Sequence, residues 1–336
     1  MKNSGFIISS GHDSDDLEDR SDAEPELELR ELVFQPSQHG LRLDQALVEL
    51  VPEFSRSYLQ QLIHLGAVRL DRLQVCKPSS RVRATDRGTI ELRPTPQSQA
   101  FKPEFMQLDI VYQDEGLLVI NKPAGLVVHP APGNWSGTLL NGLLAFDAAA
   151  VNLPRAGIVH RLDKDTSGLM VVARTRQVMD ALVRSIAARE VGRQYLALAH
   201  HPWRGSARCE VNQPMGRDPR NRLRMAVVDL DRHPGKTART DIELLQNADQ
   251  GCLVRCTLHT GRTHQIRVHM ASLGHPLVAD ELYGGVAAAG MQRQALHAFE
   301  LALIHPLTQQ AMRFRSELPD DFGEALDQWG LSYNPR

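Results

Sequence analysis

The stretch Gly157-Ile158-Val159-His160-Arg161-Leu162-Asp163-Lys164-Asp165-Thr166-Ser167-Gly168-Leu169-Met170-Val171-Val172-Ala173 decides the reading of this chain. Its end, Gly168 to Ala173, is a short unbroken apolar run after a glycine, which predicts a buried strand. Ahead of that strand lies a polar loop, His160 to Ser167, with two carboxylates, two cations, a threonine and a serine. A polar loop feeding a buried strand is a common place for an active site. The same residues also favour a solvated turn, and composition alone prefers the turn. Spacing does not choose between Asp163 and Asp165.

Working outward, Val178, Leu182 and Ile186 recur at helical spacing after Thr175, and Tyr195-Leu196-Ala197-Leu198 reads as a returning strand. Cys252, Val254, Cys256 and Leu258 alternate, which predicts another strand with one apolar face. Thr263 is placed to cap a helix running through Leu273 and ended by Gly274. Upstream, Ile110-Val111-Tyr112 and Leu117-Leu118-Val119-Ile120 flank a turn at Asp114-Glu115-Gly116, a hairpin pattern. Many strands with a few helices and no regular βαβ rhythm predict an α+β fold with a mixed sheet, not a doubly wound one.

The rest of the 336 residues divides by composition. Residues 1–31 hold ten acidic and three basic side chains, net −7, and are expected to be a disordered acidic tail. The overall charge of −2 therefore hides a body with 35 basic against 30 acidic side chains, net +5, compatible with a polyanionic partner. Residues 32–93 read as a small domain. Leu43, Ala46, Leu47 and Leu50 predict one helix, Ser55 caps a second with Leu59, Leu62 and Ile63, and strands follow near Val68 and Ile90. Arg56 and Arg69 are candidates for phosphate contacts there, or ordinary surface arginines. A polar, proline-punctuated linker is expected at 94–103 and a large domain at 104–329.

Several chemistries are missing. There is no phosphate loop, dinucleotide fingerprint or nucleophile elbow. Four scattered cysteines give no disulfide framework and fit a reduced cytoplasm. Cys252, Cys256 and His259 fall on different strand faces, so no metal site and no cofactor are expected. No stretch is apolar enough to span a membrane, and Met1 to Ser10 lacks the cationic start of an export signal.

Two further clusters accompany the loop. In Thr260-Gly261-Arg262-Thr263-His264-Gln265-Ile266-Arg267, His264 and Arg267 share a helix face, and an arginine there can hold a buried carboxylate ionised. A purely structural ion pair is the competing reading. Arg204 to Arg239 holds nine basic and four acidic residues, net +5, and reads as a loop or hairpin able to grip an RNA backbone.

Together these segments resemble the RluA family of pseudouridine synthases, most closely its D-type members that act on large-subunit ribosomal RNA. The resemblance covers roughly residues 33–325. It is carried by Ile120-Asn121-Lys122-Pro123-Ala124-Gly125-Leu126-Val127-Val128-His129-Pro130, by Gly157 to Leu169, by Thr260 to Pro276, and by Leu296-His297-Ala298 with His305-Pro306. The small domain, from Leu41-Arg42-Leu43-Asp44 to the strand near Val68, looks like an S4 RNA-binding domain.

The resemblance implies a pseudouridine synthase fold, a mixed and mainly antiparallel sheet with flanking helices. It implies a monomeric cytoplasmic isomerase that turns uridines of 23S ribosomal RNA into pseudouridine without a cofactor. Asp163 becomes the nucleophile, Tyr195 the residue stacking on the target base, and Arg267 the partner of Asp163. Arg161, Lys122, His264 and Arg262 become candidates for contacts to the RNA. The alternatives are a transfer RNA pseudouridine synthase, a catalytically silent RNA-binding assembly factor, or a glycosidase using Asp163 and Asp165.

Overall fold

The computed structural model describes residues 28–92, 100–221 and 223–334. The chain divides between Ser98 and Gln99 into two compact units.

The small unit packs two helices on a four-stranded sheet. Its elements are β1 (Glu28–Val33), α1 (Leu43–Leu50), α2 (Arg56–His64), β2 (Val68–Leu70), β3 (Leu73–Gln74) and β4 (Arg87–Leu92), with strand order β1-β4-β2-β3. The expected helices form where the apolar spacing puts them, and Leu43, Leu47, Leu59, Leu62 and Ile63 close a core over Val68 and Ile90. Ser55 caps α2 by accepting the Tyr58 N–H at 3.3 Å. The acidic tail needs correction at its end. Residues 1–27 lie outside the described residues, but Glu28–Val33 is a strand paired with β4 from Glu28↔Leu92 to Val33↔Arg87. Of its side chains only Leu32 is buried, so the strand is held by backbone pairing that composition does not announce. The expected linker is described only from Ala100 onward.

Asp44 sits wholly buried in this unit and accepts from Arg42, Arg56 and Gln60, with Arg56 Nη2 at 2.8 Å and Gln60 Nε2 at 2.6 Å. Burial opposes its ionisation, yet hydrogen bonds from Arg42, Gln60 and Arg56 hold the carboxyl well below the usual carboxylate range. Arg56 is therefore committed to Asp44 through both Nε and Nη2. Arg69, on β2, is exposed.

The large unit is built on one nine-stranded sheet. In chain order its elements are β5 (Ile110–Gln113), β6 (Leu117–Lys122), α3 (Leu139–Phe146), β7 (Ser167–Ala173), α4 (Arg176–Ala187), β8 (Gly192–His200), β9 (Arg208–Asn212), β10 (Met215–Arg217), β11 (Met225–Val227), β12 (Gly235–Lys236), β13 (Arg239–Asn247), β14 (Gly251–Leu258), α5 (Gln265–Ser272), β15 (Leu296–Ile304), β16 (Ala311–Arg315) and α6 (Asp320–Gln328). The sheet runs β5-β6-β7-β15-β8-β14-β13-β9, with β16 on β15; β7 and β15 are parallel and the other pairs antiparallel. A mixed, mainly antiparallel α+β sheet is thus what forms. Strands β10, β11 and β12 make a separate small sheet inside the basic stretch 204–239.

Helices cover both faces, which is why the central strands read as unbroken apolar runs. On one face Ile120, Met170, Val172, Ala197 and Val254 pack with Leu139 and Leu143 of α3 and with Ile266 and Met270 of α5. On the other, Val119 and Val171 meet Val178 and Leu182 of α4, and Leu196, Leu198 and Leu253 meet Phe322 and Leu326 of α6. Cys252 and Cys256 are core residues of the first face. Where β7 meets β15, Gly168 adopts φ +115°, and a Cβ there would stand 2.2 Å from the Ala298 carbonyl oxygen. Only glycine lets the two backbones pair at that point, and the pairing sets the polar loop beside β15. Among the described residues no helix is long and apolar enough to cross a membrane.

Candidate active site

A cleft of about 720 Å³ opens where the loop before β7, the strand β8 and the segment before α5 converge. The loop is pinned through its backbone. The Lys164 carbonyl accepts from Gly125 N at 2.9 Å and from Lys122 Nζ at 3.0 Å. The Asp165 carbonyl accepts from Arg293 Nη1 at 3.1 Å, while Nε and Nη2 of Arg293 clamp Asp321 at 2.7 and 2.8 Å. Thr166 N–H closes a turn onto the Asp163 carbonyl at 3.2 Å, and Ser167 Oγ meets His297 Nδ1 of β15 at 2.9 Å. These bonds immobilise the main chain and leave the Asp163 side chain facing the cleft. Asp165 is absent from the cleft lining.

Lys122 is not among the residues that line the cleft. It is 1% exposed, and its ammonium donates to the carbonyls of Pro123, Leu126 and Lys164 at 2.7, 2.9 and 3.0 Å. Three acceptors use all three of its donors. Burial pulls its pKa down to about 8.

The Asp163 carboxylate, 16% exposed, accepts from Arg267 Nη1 at 3.1 Å, and His264 Nε2 stands 3.9 Å from its other oxygen. Arg267 also makes a bidentate pair with Asp280, Nε to Oδ2 at 2.8 Å and Nη2 to Oδ1 at 2.7 Å, and stacks 5.0 Å from the Tyr283 ring centroid. Burial alone would lower its pKa, but Asp280 and Asp163 outweigh that and raise it. The cation is thus held by Asp280 and offered to Asp163. Tyr283 Oη accepts from Met225 N at 3.0 Å and meets His264 Nδ1 at 2.8 Å. This contact through Nδ1 orients the His264 ring so that Nε2 faces Asp163. Burial lowers the His264 pKa, against the opposing pull of Asp163 and Asp280.

The helix cap differs from expectation. Thr263 does not cap α5; His264 takes the N-cap position with φ +58°. The Gln265 side chain organises the turn instead, accepting from Thr260 Oγ1 at 2.7 Å and Arg262 N at 3.0 Å, and donating to Arg239 O at 2.9 Å. A non-glycine residue in the left-handed region is held there by its surroundings, and here the result is a histidine facing Asp163. At the other end Gly274 and His275 donate to Ala271 and Met270, so Gly274 ends the helix as expected.

Tyr195 reaches the cleft from β8, 5% exposed, and burial pushes its phenol up to about 12. It stays protonated at neutral pH. Arg161 is exposed and Arg262 half-buried, both on the cleft lining. Arg155, Arg189, Arg193 and Arg267 complete a set of six arginines against a single carboxylate, Asp163. That imbalance suits a polyanion. Among the described residues no group of three His, Cys, Asp or Glu side chains could hold a metal.

Asp163, Tyr195, Arg267, Arg161, His264 and Arg262 therefore share one cleft, and Lys122 lies behind it. Sequence reasoning missed Asp280 and Tyr283. The available signal was a carboxylate, Asp280, directly after the apolar Leu277-Val278-Ala279, where an unpaired charge would be costly.

A family profile described as RNA pseudouridylate synthase matches residues 116–272. Among curated proteins, the chain is 43% identical to "Ribosomal large subunit pseudouridine synthase D" of Neisseria meningitidis serogroup B over 97% of this chain and 88% of that protein. It is 44% identical to the protein of the same name from Nitrosomonas europaea, over 88% and 86% of the two chains. Among solved structures, "Human RNA Pseudouridylate Synthase Domain Containing 1" superposes with a TM-score of 0.52 at 27% identity, covering 70% of this chain and 89% of that one. A likeness this long, running through the cleft and both of its walls, settles descent: the chain belongs to the RNA pseudouridylate synthase family.

Proposed function

We propose that this protein isomerises specific uridines of large-subunit (23S) ribosomal RNA to pseudouridine. The observation that carries the reading is the Asp163 carboxylate, among the described residues the only acid lining an arginine-rich cleft, held by Arg267 at 3.1 Å. The relatives named for the ribosomal large subunit support that substrate over transfer RNA. The reaction breaks N1–C1′, turns the uracil and joins C5 to C1′; the C5 proton is lost and N1 gains one, so no redox partner is required. The detached base must be held away from water, or hydrolysis would compete. The uridine enters flipped from its stack, at a cost of a few kcal/mol. Tyr195 replaces lost stacking, worth about 1–3 kcal/mol per base. As a neutral phenol it acts through its ring and as a hydrogen-bond donor, and is a poor base in its resting state. Asp163 is the nucleophile, hydrogen-bonded by Arg267. Arg161 and Arg262 meet the RNA at the cleft rim, and His264 faces the same space.

We read the small unit as an S4-like RNA-binding domain; its two helices on a small sheet and the exposed Arg69 support this. The protein is read as a cytoplasmic monomer acting on RNA or its precursor particle. The test is carbodiimide mapping of pseudouridine in ribosomal and transfer RNA from a strain lacking the protein. Loss of sites confined to large-subunit ribosomal RNA, restored by the wild type but not by Asp163→Asn, is expected. Loss confined to transfer RNA would overturn the substrate, and restoration by Asp163→Asn would overturn the nucleophile.

A further inference from the structure

Two arginines are buried in the cleft, and they are paired differently. Arg267, 7% exposed, gives three donors to two carboxylates. Arg193 is 6% exposed, and among the described residues its guanidinium has no carboxylate partner and its Nε no hydrogen-bond partner. A guanidinium cannot shed its proton to escape burial, and an unpaired buried charge is strongly unfavourable. His160, close enough to feel this cation, is pulled down to about 3, chiefly by its own burial, and supplies no counter-charge.

The position of Arg193 is built. It lies two residues before Tyr195 on β8, so both side chains leave the same face of the strand toward the cleft. Across from it stands Gly261, where a Cβ would come within 2.9 Å of Arg193 Nη1. The opposite wall thus leaves room for the guanidinium and gives it no acceptor. A base carbonyl carries no formal charge to offset such a cation; a phosphodiester does, and can accept two parallel donors from the guanidinium fork. We infer that Arg193 forms an anion subsite for a phosphate flanking the flipped nucleotide, placed beside the ring that stacks on its base. This rests on the RNA-modifying reading above.

The test uses full-length enzyme and an RNA fragment carrying a uridine that the wild type converts, in two versions. One has ordinary linkages and the other an uncharged methylphosphonate at the linkage 5′ or 3′ to that uridine. Single-turnover pseudouridine formation gives the maximal rate and the half-saturating enzyme concentration. For the wild type, one of the two methylphosphonates should raise half-saturation about ten- to a hundredfold, the worth of a charged hydrogen bond. Arg193→Gln should cost a similar factor on ordinary RNA and lose nothing further on that methylphosphonate, while Arg193→Lys recovers part of the loss. Losses that multiply in the combination, or a wild type indifferent to both methylphosphonates, would overturn the inference. Should Arg193→Gln fail to fold, the wild-type comparison still decides. A wild type that converts no uridine at all would overturn the RNA-modifying reading instead.

Discussion

Asp44 and Asp163 are both gripped by arginines, and they are gripped differently. Asp44 in the small unit is fully buried, and its oxygens take five hydrogen bonds from Arg42, Arg56 and Gln60. Asp163 in the large unit takes one hydrogen bond from Arg267 and keeps part of its surface open to the cleft. The difference lies in where the arginine is anchored. Arg42 and Arg56 spend themselves on Asp44, whereas Arg267 is fixed by Asp280 through Nε and Nη2 and gives Asp163 one hydrogen bond from Nη1. A saturated carboxylate ties helices together; an under-saturated one beside a fixed cation keeps oxygen lone pairs open to the cleft. The same logic separates Lys122, whose three donors are all used by carbonyls, from the arginines of the cleft.

The contrast can be broken most severely at Arg267. Arg267→Ala leaves Asp280 buried without a partner, which should cost about 3–5 kcal/mol of stability. It should also reduce pseudouridine formation by at least about a hundredfold. Thermal unfolding and single-turnover assays read the two effects. Asp280→Asn sharpens the point: Arg267 keeps its bond to Asp163 but loses its anchor, so the rate should fall about tenfold or more while half-saturation changes less. An unchanged rate would show that the anchor does not position Arg267. In the small unit Asp44→Ala should destabilise by about 3 kcal/mol and weaken RNA binding, yet leave the maximal rate on saturating RNA within a few-fold. A collapse of that rate would mean that Asp44 acts beyond its own fold.

The smallest effect concerns pH. His160, half-buried, accepts the Val171 N–H at 3.0 Å through Nε2, and burial draws its pKa down to about 3. The unfolded chain, with histidine near 6.5, takes up a proton that the folded chain refuses. The stability tied to this ring is complete above about pH 6.5 and falls as the pH drops toward 3. His160→Gln should therefore lose less stability than the wild type between pH 7 and 4.5, measured by denaturant unfolding. Parallel losses would exclude the ring as a source of acid sensitivity.

Much of this was legible from residue pattern. The hairpin around Asp114, the buried strand after Gly168 and the Thr175-capped helix follow from spacing and turn chemistry that act locally. The cleft loop was legible as polar, but choosing Asp163 over Asp165 took the family resemblance. In the folded chain that choice corresponds to which side chain lines the cleft. What stayed hidden depends on contacts between distant segments. Lys122 looked like a cation for RNA because its acceptors are backbone carbonyls at 123, 126 and 164, which no side-chain pattern encodes. The strand Glu28–Val33 looked like tail because its neighbour β4 lies some sixty residues on and its own side chains are mostly exposed. Thr263 looked like a cap because Ser and Thr usually are; Gln265, bonded across to Arg239, took over the turn.

The most direct measurement compares Asp163→Asn with Asp165→Asn, side by side, for pseudouridine formation and for RNA affinity. The cleft geometry predicts that Asp163→Asn makes no detectable pseudouridine while binding RNA within a few-fold of the wild type, and that Asp165→Asn retains activity. Conversion by Asp163→Asn at a rate near that of the wild type would contradict the account.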